Sequence, residues 1–266
     1  MSIRHYTPRR RRRGISQRAR VVLGGTLATT ILLQMLYPLV NGTVLQYITI
    51  ATVYIGAVAM LLHAYLSFGM KYASRYLILA GLFGYFIELL GVHSGWPFGI
   101  YSYDQSLGFA LFGVPLVVPF AWVMMVHPAL VAARRVTTKW TFIYGGALLA
   151  GWDLFLDPQM VAAGRWTWEV TGAHIPFVPD VPLSNFFGWL LAGCAIVALL
   201  NVVLPFERRK ESASLRAVTI LLTWVLFSGF IGNLFFFDRP GLAFLGAAVF
   251  GAFATPFIFK SWLGEA

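Results

Sequence analysis

The chain has 266 residues, of which 59% are hydrophobic and only 11% are charged, and its mean hydropathy is +0.74. Soluble globular domains carry about 25% charged residues, so the composition excludes that class and indicates a polytopic membrane protein. The net charge of +10 includes an arginine run, Arg9 to Arg13, before the first apolar segment. We expect this run to lie against anionic lipid headgroups, so the charge requires no nucleic acid partner.

Eight apolar segments follow, each long enough to cross a bilayer as a helix of about 20 residues. They begin near Val21, Val44, Tyr76, Phe109, Trp140, Phe186, Ala217 and Leu242. The sequence therefore predicts an all-α polytopic membrane protein with about eight transmembrane helices. We expect the chain to comprise a basic cytoplasmic tail at residues 1–20 and a single transmembrane domain at residues 21–264.

Charged residues fall asymmetrically on the two sides of these spans. If the tail is cytoplasmic, only Arg165 and Arg239 among the 20 Lys and Arg residues fall outside. The positive-inside rule then predicts a multi-pass protein of the cell membrane with both termini in the cytoplasm. Most of the acids fall in the outer half instead, and these are Glu88, Asp104, Asp153, Asp157, Glu169, Asp180 and Asp238.

The third and fourth spans are similar in sequence to the fifth and sixth. The chain reads ELLGVHSGWPFGIYSY from Glu88 and DPQMVAAGRWTWEV from Asp157, each with an acid, a later glycine and then aromatic residues. It also reads VPLVVPFAW from Val114 and VPLSNFFGW from Val181. Such self-similarity predicts an internal parallel helix-hairpin repeat, in which Glu88 and Asp157 face each other across a shared cavity.

Three acids lie inside the predicted spans, where an ionisable side chain is costly without a partner or a cavity. Asp153 and Asp157 are four residues apart and share a helix face. Glu88, Asp153 and Asp157 are therefore candidates for function, near the outer leaflet. Two alternatives remain open: Asp153 could be a structural hydrogen-bonding group between helices, and Asp157, which precedes Pro158, could mark the outer end of its span.

The sequence lacks the residues that several other chemistries require. The five histidines, at positions 5, 63, 93, 127 and 174, are too dispersed for the clustered ligands of an iron hydroxylase or desaturase. We expect His63 and His127 to hydrogen-bond between helices instead. Glycine-rich loops of the nucleotide-binding type are also missing. The sequence thus predicts neither a metal site nor a cofactor.

Five motifs between residues 76 and 190, namely GWPFGIYSY, GVPLVVPFAW, DLFLDPQM, GRWTW and NFFGW, together resemble the integral-membrane carotenoid 1′,2′-hydratase family. Members of this family add water across the terminal C=C of an acyclic carotenoid end group. The resemblance implies a cofactor-independent hydro-lyase whose partners are an acyclic carotenoid, water, the bilayer and other carotenoid-pathway enzymes. The loop from His174 to Asp180 departs from the family pattern by carrying extra residues, which alters the rim of the expected cavity.

The chemistry that the resemblance implies needs an acid strong enough to protonate carbon, giving a tertiary carbocation that water captures. A carboxylic acid in an apolar site keeps its proton near neutrality, while a nearby acid can stay ionised. We assign Asp157 as the proton donor, Asp153 as the group that shares its proton, and Glu88 as the carboxylate that orients water. Asp157 and Glu88 could exchange roles, because coupled acids titrate as a pair.

Aromatic residues after each repeated acid are expected to line the site, because their π-faces can stabilise a positive charge. The expected substrate-binding residues are Tyr101, Tyr103, Trp166, Trp168 and Trp96, with Asn185 to hold the water. Two other functions remain open. One is a carotenoid cyclase or isomerase that uses the same protonation, and the other is a non-catalytic carotenoid-binding protein or transporter built on the repeat.

Overall fold

The computed structural model describes residues 15–206 and 214–264, and within them the chain forms eight long helices and six short strands. The helices are α1 (Gln17–Leu36), α2 (Gly42–Phe68), α3 (Met70–Ser94), α4 (Val117–Val136), α5 (Thr141–Ala162), α6 (Leu183–Val203), α7 (Arg216–Phe235) and α8 (Pro240–Leu263). The strands are β1 (Tyr101–Tyr103), β2 (Ala110–Leu111), β3 (Val114–Pro115), β4 (Trp166–Trp168), β5 (His174–Ile175) and β6 (Val178–Pro182).

Seven of these helices, all except α5, are long and apolar enough to cross a membrane. The 22 residues of α5 would also suffice in length, so its lower hydropathy sets it apart. This helix carries Asp153 and Asp157, is mostly buried, and packs against α4, α6 and α8. Polar side chains are tolerated on such a helix because they face the bundle interior and not lipid. The predicted all-α polytopic membrane fold is confirmed.

The predicted start of the fourth span is wrong. α4 begins at Val117 and not near Phe109, because the residues between them include the β2–β3 hairpin. Phe112 and Gly113 turn this hairpin with positive φ angles of 50° and 85°. Its apolar side chains resemble the start of a span when hydropathy alone is considered.

Part of the predicted topology falls on residues that the structure does not describe. The Arg9–Arg13 run, with most of the tail at residues 1–20, and the basic group at residues 208–210 lie outside the described ranges. The assignment of each bundle end to one side of the membrane therefore stays a prediction. We call the end that carries β1 to β6 the strand end.

The predicted repeat is visible in the local structure of the strand end. Helices α3 and α5 are each followed by a glycine with positive φ, Gly95 (73°) and Gly164 (67°), a conformation that glycine adopts without steric cost. A short strand comes next, then a hairpin whose turn holds a phenylalanine with positive φ, Phe112 or Phe177. α4 or α6 completes each half, and this duplicated order of elements supports a parallel hairpin repeat.

Strands β1 and β4 join the two halves of the repeat. They pair antiparallel, with Ser102 opposite Thr167, Tyr101 opposite Trp168 and Tyr103 opposite Trp166. The register is symmetric about the central pair, as expected for two similar hairpins related by an approximate two-fold axis. Four aromatic side chains thereby come together over the ends of α3 and α5.

Two histidines at the opposite end link helices as predicted. Nδ1 of His63 on α2 lies 2.9 Å from Nε2 of His127 on α4, and the hydroxyl of Tyr72 on α3 lies 3.4 Å from Nδ1 of His127. His63 and His127 are buried, with 2% and 0% of their surfaces exposed. The expectation that they hydrogen-bond between helices is confirmed.

Small residues allow α5 and α6 to approach closely. A Cβ atom on Gly146 would lie 2.6 Å from Sγ of Cys194 and 2.7 Å from its backbone nitrogen. One on Gly193 would lie 2.9 Å from Cα of Gly146. Close contact of this kind is how spanning helices gain van der Waals attraction in lipid, where burial from water contributes little.

We expect Gly146→Ala to lower the thermal stability of the purified protein in detergent. Overpacking costs about 1–3 kcal/mol, which exceeds the gain of up to about 1 kcal/mol from replacing a helical glycine with alanine. The matched control is Gly24→Ala on α1, where a Cβ atom meets nothing within 4 Å. Equal melting temperatures for the two variants would contradict the packing argument.

Candidate functional site

A cavity of about 350 Å³ lies toward the strand end and is lined by residues of α1 to α7 and of β1 and β4. Its walls are mostly apolar and aromatic, and at one end they include Glu88, Asp157 and Asn185. The described residues that line it include no Lys, Arg or His. Its volume is at the small end of the range for ligand pockets, about 300–1,000 Å³.

Glu88 accepts hydrogen bonds from three neutral donors. The Tyr101 and Tyr103 hydroxyls donate to Oε2 at 2.6 Å and 2.7 Å, and the Trp122 indole nitrogen donates to Oε1 at 3.0 Å. Glu88 itself is 3% exposed. Donors directed at both oxygens stabilise the ionised form of a carboxyl group.

Both tyrosines remain donors in this setting. Burial, followed by the neighbouring Glu88 carboxylate, raises the pKa of the Tyr101 and Tyr103 phenols far above their usual value. These hydroxyls therefore keep their protons near neutral pH. They are held in place because β1 follows the turn after α3 and pairs with β4.

Asp153 and Asp157 accept fewer hydrogen bonds than Glu88. The Asn185 amide nitrogen donates to Oδ2 of Asp153 at 2.9 Å and also to Oδ2 of Asp157. The two carboxyl groups are 1% and 2% exposed, and Oδ1 of Asp153 is buried without a hydrogen-bond partner in the described chain. The i and i+4 spacing on α5 and a single amide from α6 thus produce a pair of adjacent buried acids.

Stacked tryptophans form the cavity wall beside the acids. The rings of Trp122 and Trp189 are parallel within 7°, with centroids 4.3 Å apart, and Trp152 packs edge-on against Trp189 at 5.7 Å. Gly84 makes room for this stack, because a Cβ atom there would lie 2.7 Å from Cγ of Trp122. The same indole that stacks on Trp189 also donates to Glu88, so the acid and the aromatic wall are positioned together.

The β1–β4 pair covers the cavity with Tyr101, Tyr103, Trp166 and Trp168. The indole nitrogens of Trp166 and Trp168 are buried and make no hydrogen bond of good geometry among the described residues, although the Trp166 indole lies close to the Asp157 carboxyl group. A buried N–H group without a partner is uncommon, since leaving a donor unsatisfied costs about 1–3 kcal/mol. The Trp168 indole is available to a water molecule or a ligand in the cavity, whereas the Trp166 indole already faces the Asp157 carboxyl group.

Most of the predicted site residues come together around the cavity, and two of them do not line it. Those that line the cavity are Glu88, Asp157, Tyr101, Tyr103, Trp166, Trp168 and Asn185. Asp153 lies behind Asp157 and reaches the site through Asn185. Trp96 is 55% exposed and does not line the cavity, because it lies in the turn that follows α3, away from the strand pair.

Sequence reasoning did not assign the tryptophan stack or the α7 wall. Trp122 and Trp189 end the matching segments VPLVVPFAW and VPLSNFFGW, so their common spacing was an available signal. The lining residues of α7, between Trp224 and Gly232, carry no such pattern. Apolar residues in a spanning helix look the same whether they face lipid or a cavity.

Comparison with known proteins connects this site to a family. A profile of the family described as "Carotenoid biosynthesis protein" matches residues 48–253. The bisanhydrobacterioruberin hydratase of Haloarcula japonica is 34% identical over 171 residues, which cover 60% of this chain and 56% of that protein. The chain therefore matches little more than half the length of this relative. Solved structures show no significant match.

The family match covers most of the chain and includes the acids, the strand pair and the tryptophan stack. The chain belongs to the carotenoid biosynthesis protein family.

Proposed function

We propose that this protein hydrates the terminal C=C of an acyclic carotenoid end group without a cofactor. Family membership and the similarity to the bisanhydrobacterioruberin hydratase of Haloarcula japonica support a hydratase. The observation that carries the proposal is the unequal hydrogen bonding of the acids. Glu88 accepts from three donors, whereas Asp153 and Asp157 share one amide.

The aspartate pair is the proton source in this proposal. Two ionised carboxylates side by side in a low-dielectric interior repel strongly, and one amide cannot offset that repulsion. The pair therefore holds a proton, and Asp157, which lines the cavity, presents it to the substrate. Asp153 shares the proton from behind, so the two acids act as one coupled group.

Glu88 is the fixed anion of the site. Protonation of the terminal alkene leaves a tertiary carbocation, and an ionised Glu88 across the cavity lowers its energy, as preorganised charge does in other active sites. The faces of Trp122 and Trp189 add cation–π stabilisation. With three hydrogen bonds already accepted, Glu88 is a poor base, and it instead orients the attacking water.

The aspartate pair both supplies the proton for the reaction and recovers a proton at its end. The pair gives one proton to the alkene carbon, and a water molecule attacks the cation and forms the C–O bond. The protonated alcohol then returns one proton to the pair, which regains its starting state. The net change is the addition of one water, so neither an oxidant nor a reductant is consumed.

We also propose that the strand end faces outward and that both termini are cytoplasmic. The basic residues Lys71, Arg75, Arg134, Lys139 and Lys260 lie at or near the opposite ends of their helices. The two exceptions have structural partners at the strand end. Arg165 donates to Oγ of Ser106 at 2.8 Å, and Arg239 donates to the carbonyl oxygen of Pro158 at 2.8 Å.

We expect Asp157→Asn to lower the hydration rate of an acyclic carotenoid by about 10²–10⁴-fold, the usual contribution of a general acid. The substitution preserves shape and removes the exchangeable proton. The control is Asp180→Asn, an exposed aspartate of β6, which should leave the rate unchanged. Turnover is measured with purified protein in detergent and product analysis by mass spectrometry.

The same assay separates the competing functions. A product heavier than the substrate by one water supports hydration. A product of unchanged mass would show a cyclase or isomerase, and the absence of any product would support a binding protein or transporter. Wild-type turnover by Asp157→Asn would refute its role as donor.

We expect Glu88→Gln to lower the rate by about 10²–10³-fold, because an amide lacks the charge that stabilises the cation. Tyr103→Phe should have a smaller effect in the same direction, because it removes one of three donors and leaves the charge. Glu169→Gln, an exposed glutamate after β4, is the matched control. A larger loss in Tyr103→Phe than in Glu88→Gln would contradict the assignment of Glu88 as the anion.

A further inference from the structure

The cavity extends away from the acids and reaches the protein surface between α1 and α7. The residues around this opening, which we call the portal, are Gln34, Met35, Trp224, Phe227, Ser228 and Ile231. The most exposed lining side chains identify the opening. Met35 and Phe227 are 51% and 55% exposed, whereas the described side chains around the acids are buried or half-buried.

The portal opens toward lipid. Its exposed residues are Met and Phe, and both α1 and α7 are apolar enough to cross a membrane. The acid chamber lies at the other end of the cavity, covered by the β1–β4 pair. An apolar molecule dissolved in the bilayer can therefore reach the acids sideways, without passing through water.

The two helices that flank the portal are held mainly by other partners. α1 packs chiefly on α2, and α7 packs chiefly on α8. Across the portal, the Trp224 indole nitrogen donates to Oε1 of Gln34 at 2.6 Å. Closer to the strand end, Tyr37 packs edge-on against Phe237 at 6.2 Å. The portal thus lies between two neighbours that do not pack continuously along their lengths.

The volume of the cavity limits how much of a carotenoid it can hold. At about 350 Å³ it accommodates an end group, whereas the conjugated chain of a carotenoid is a rigid rod much longer than such a chamber. We infer that the portal between α1 and α7 is the binding site of the polyene chain. One end group lies at the acids, and the rest of the chain passes beside Trp224, Ser228 and Ile231 into the bilayer.

This inference rests on the proposed function and adds a consequence to it. A portal that holds only the chain admits one end group at a time, and the far end of the molecule stays in lipid. The aromatic edge of Trp224 and the small side chain of Ser228 then determine which chain thickness can pass. In the wild type, the length of the chain beyond the portal should have little effect on turnover. Added bulk at the portal should slow only substrates that are long enough to pass through it.

The test fills the portal and compares two substrates. Ser228→Trp places a large ring in the opening, and Thr223→Trp places the same ring on the exposed side of α7, outside the cavity. The substrates are an acyclic carotenoid and a short acyclic terpenoid with the same trisubstituted end group. We expect Ser228→Trp to lower kcat/KM for the carotenoid at least about tenfold, with little change for the short alkene.

Each outcome distinguishes a failure of the portal inference from a failure of the proposed function. Retained turnover of the short alkene shows that Ser228→Trp is folded, and Ile231→Trp provides a second portal variant. The portal inference would be wrong if Ser228→Trp turned over the carotenoid at the wild-type rate. It would also be wrong if this variant lost the same fraction of activity on both substrates. If the wild type hydrates neither substrate, the proposed function fails. Co-purification of a carotenoid, read by absorbance, then tests the portal alone, because Ser228→Trp must lose the pigment that Thr223→Trp retains.

Discussion

The arrangement of this protein depends on the burial of three carboxyl groups in an apolar bundle whose cavity wall offers no cation among the described residues. Water cannot solvate these groups, so neutral donors must stabilise them or a proton must neutralise them. Two phenols and an indole serve Glu88, and one amide serves the aspartate pair. This difference in donor number gives neighbouring acids different chemical properties.

The repeat explains how such unlike environments arise in similar halves. Each hairpin supplies the donors for its own acids: β1 and α4 serve Glu88, and α6 serves the pair on α5. Contacts between the halves, the β1–β4 pairing and the stack of Trp122 on Trp189, are symmetric. A symmetric framework therefore places Glu88 and Asp157 on the same cavity, and the side chains that differ between the two halves give these acids unequal numbers of donors.

Sequence reasoning predicted the parts of the site that leave a charge or a repeated pattern. Acids inside spans, the aromatic segments after them and the interhelical hydrogen bonding of His63 and His127 were all visible, because polar residues in apolar helices require a partner. That the two histidines contact each other was not predicted. The start of α4 was missed since a hairpin of apolar residues has the hydropathy of a helix. The α7 wall of the cavity was missed for a related reason: lipid-facing and cavity-facing residues such as Phe227 and Ile231 have the same chemistry. Trp96 follows its acid as Trp166 does, and only the turn geometry separates their positions.

The central claim is that the aspartate pair holds a proton at neutral pH while Glu88 is ionised. Infrared spectroscopy of the protein in lipid measures this directly, through the C=O stretching band of a protonated carboxyl group that shifts in heavy water. The account predicts such a band in the wild type, its loss in Asp157→Asn, and its persistence in Glu88→Gln. A band that disappears in Glu88→Gln and survives in Asp157→Asn would contradict it.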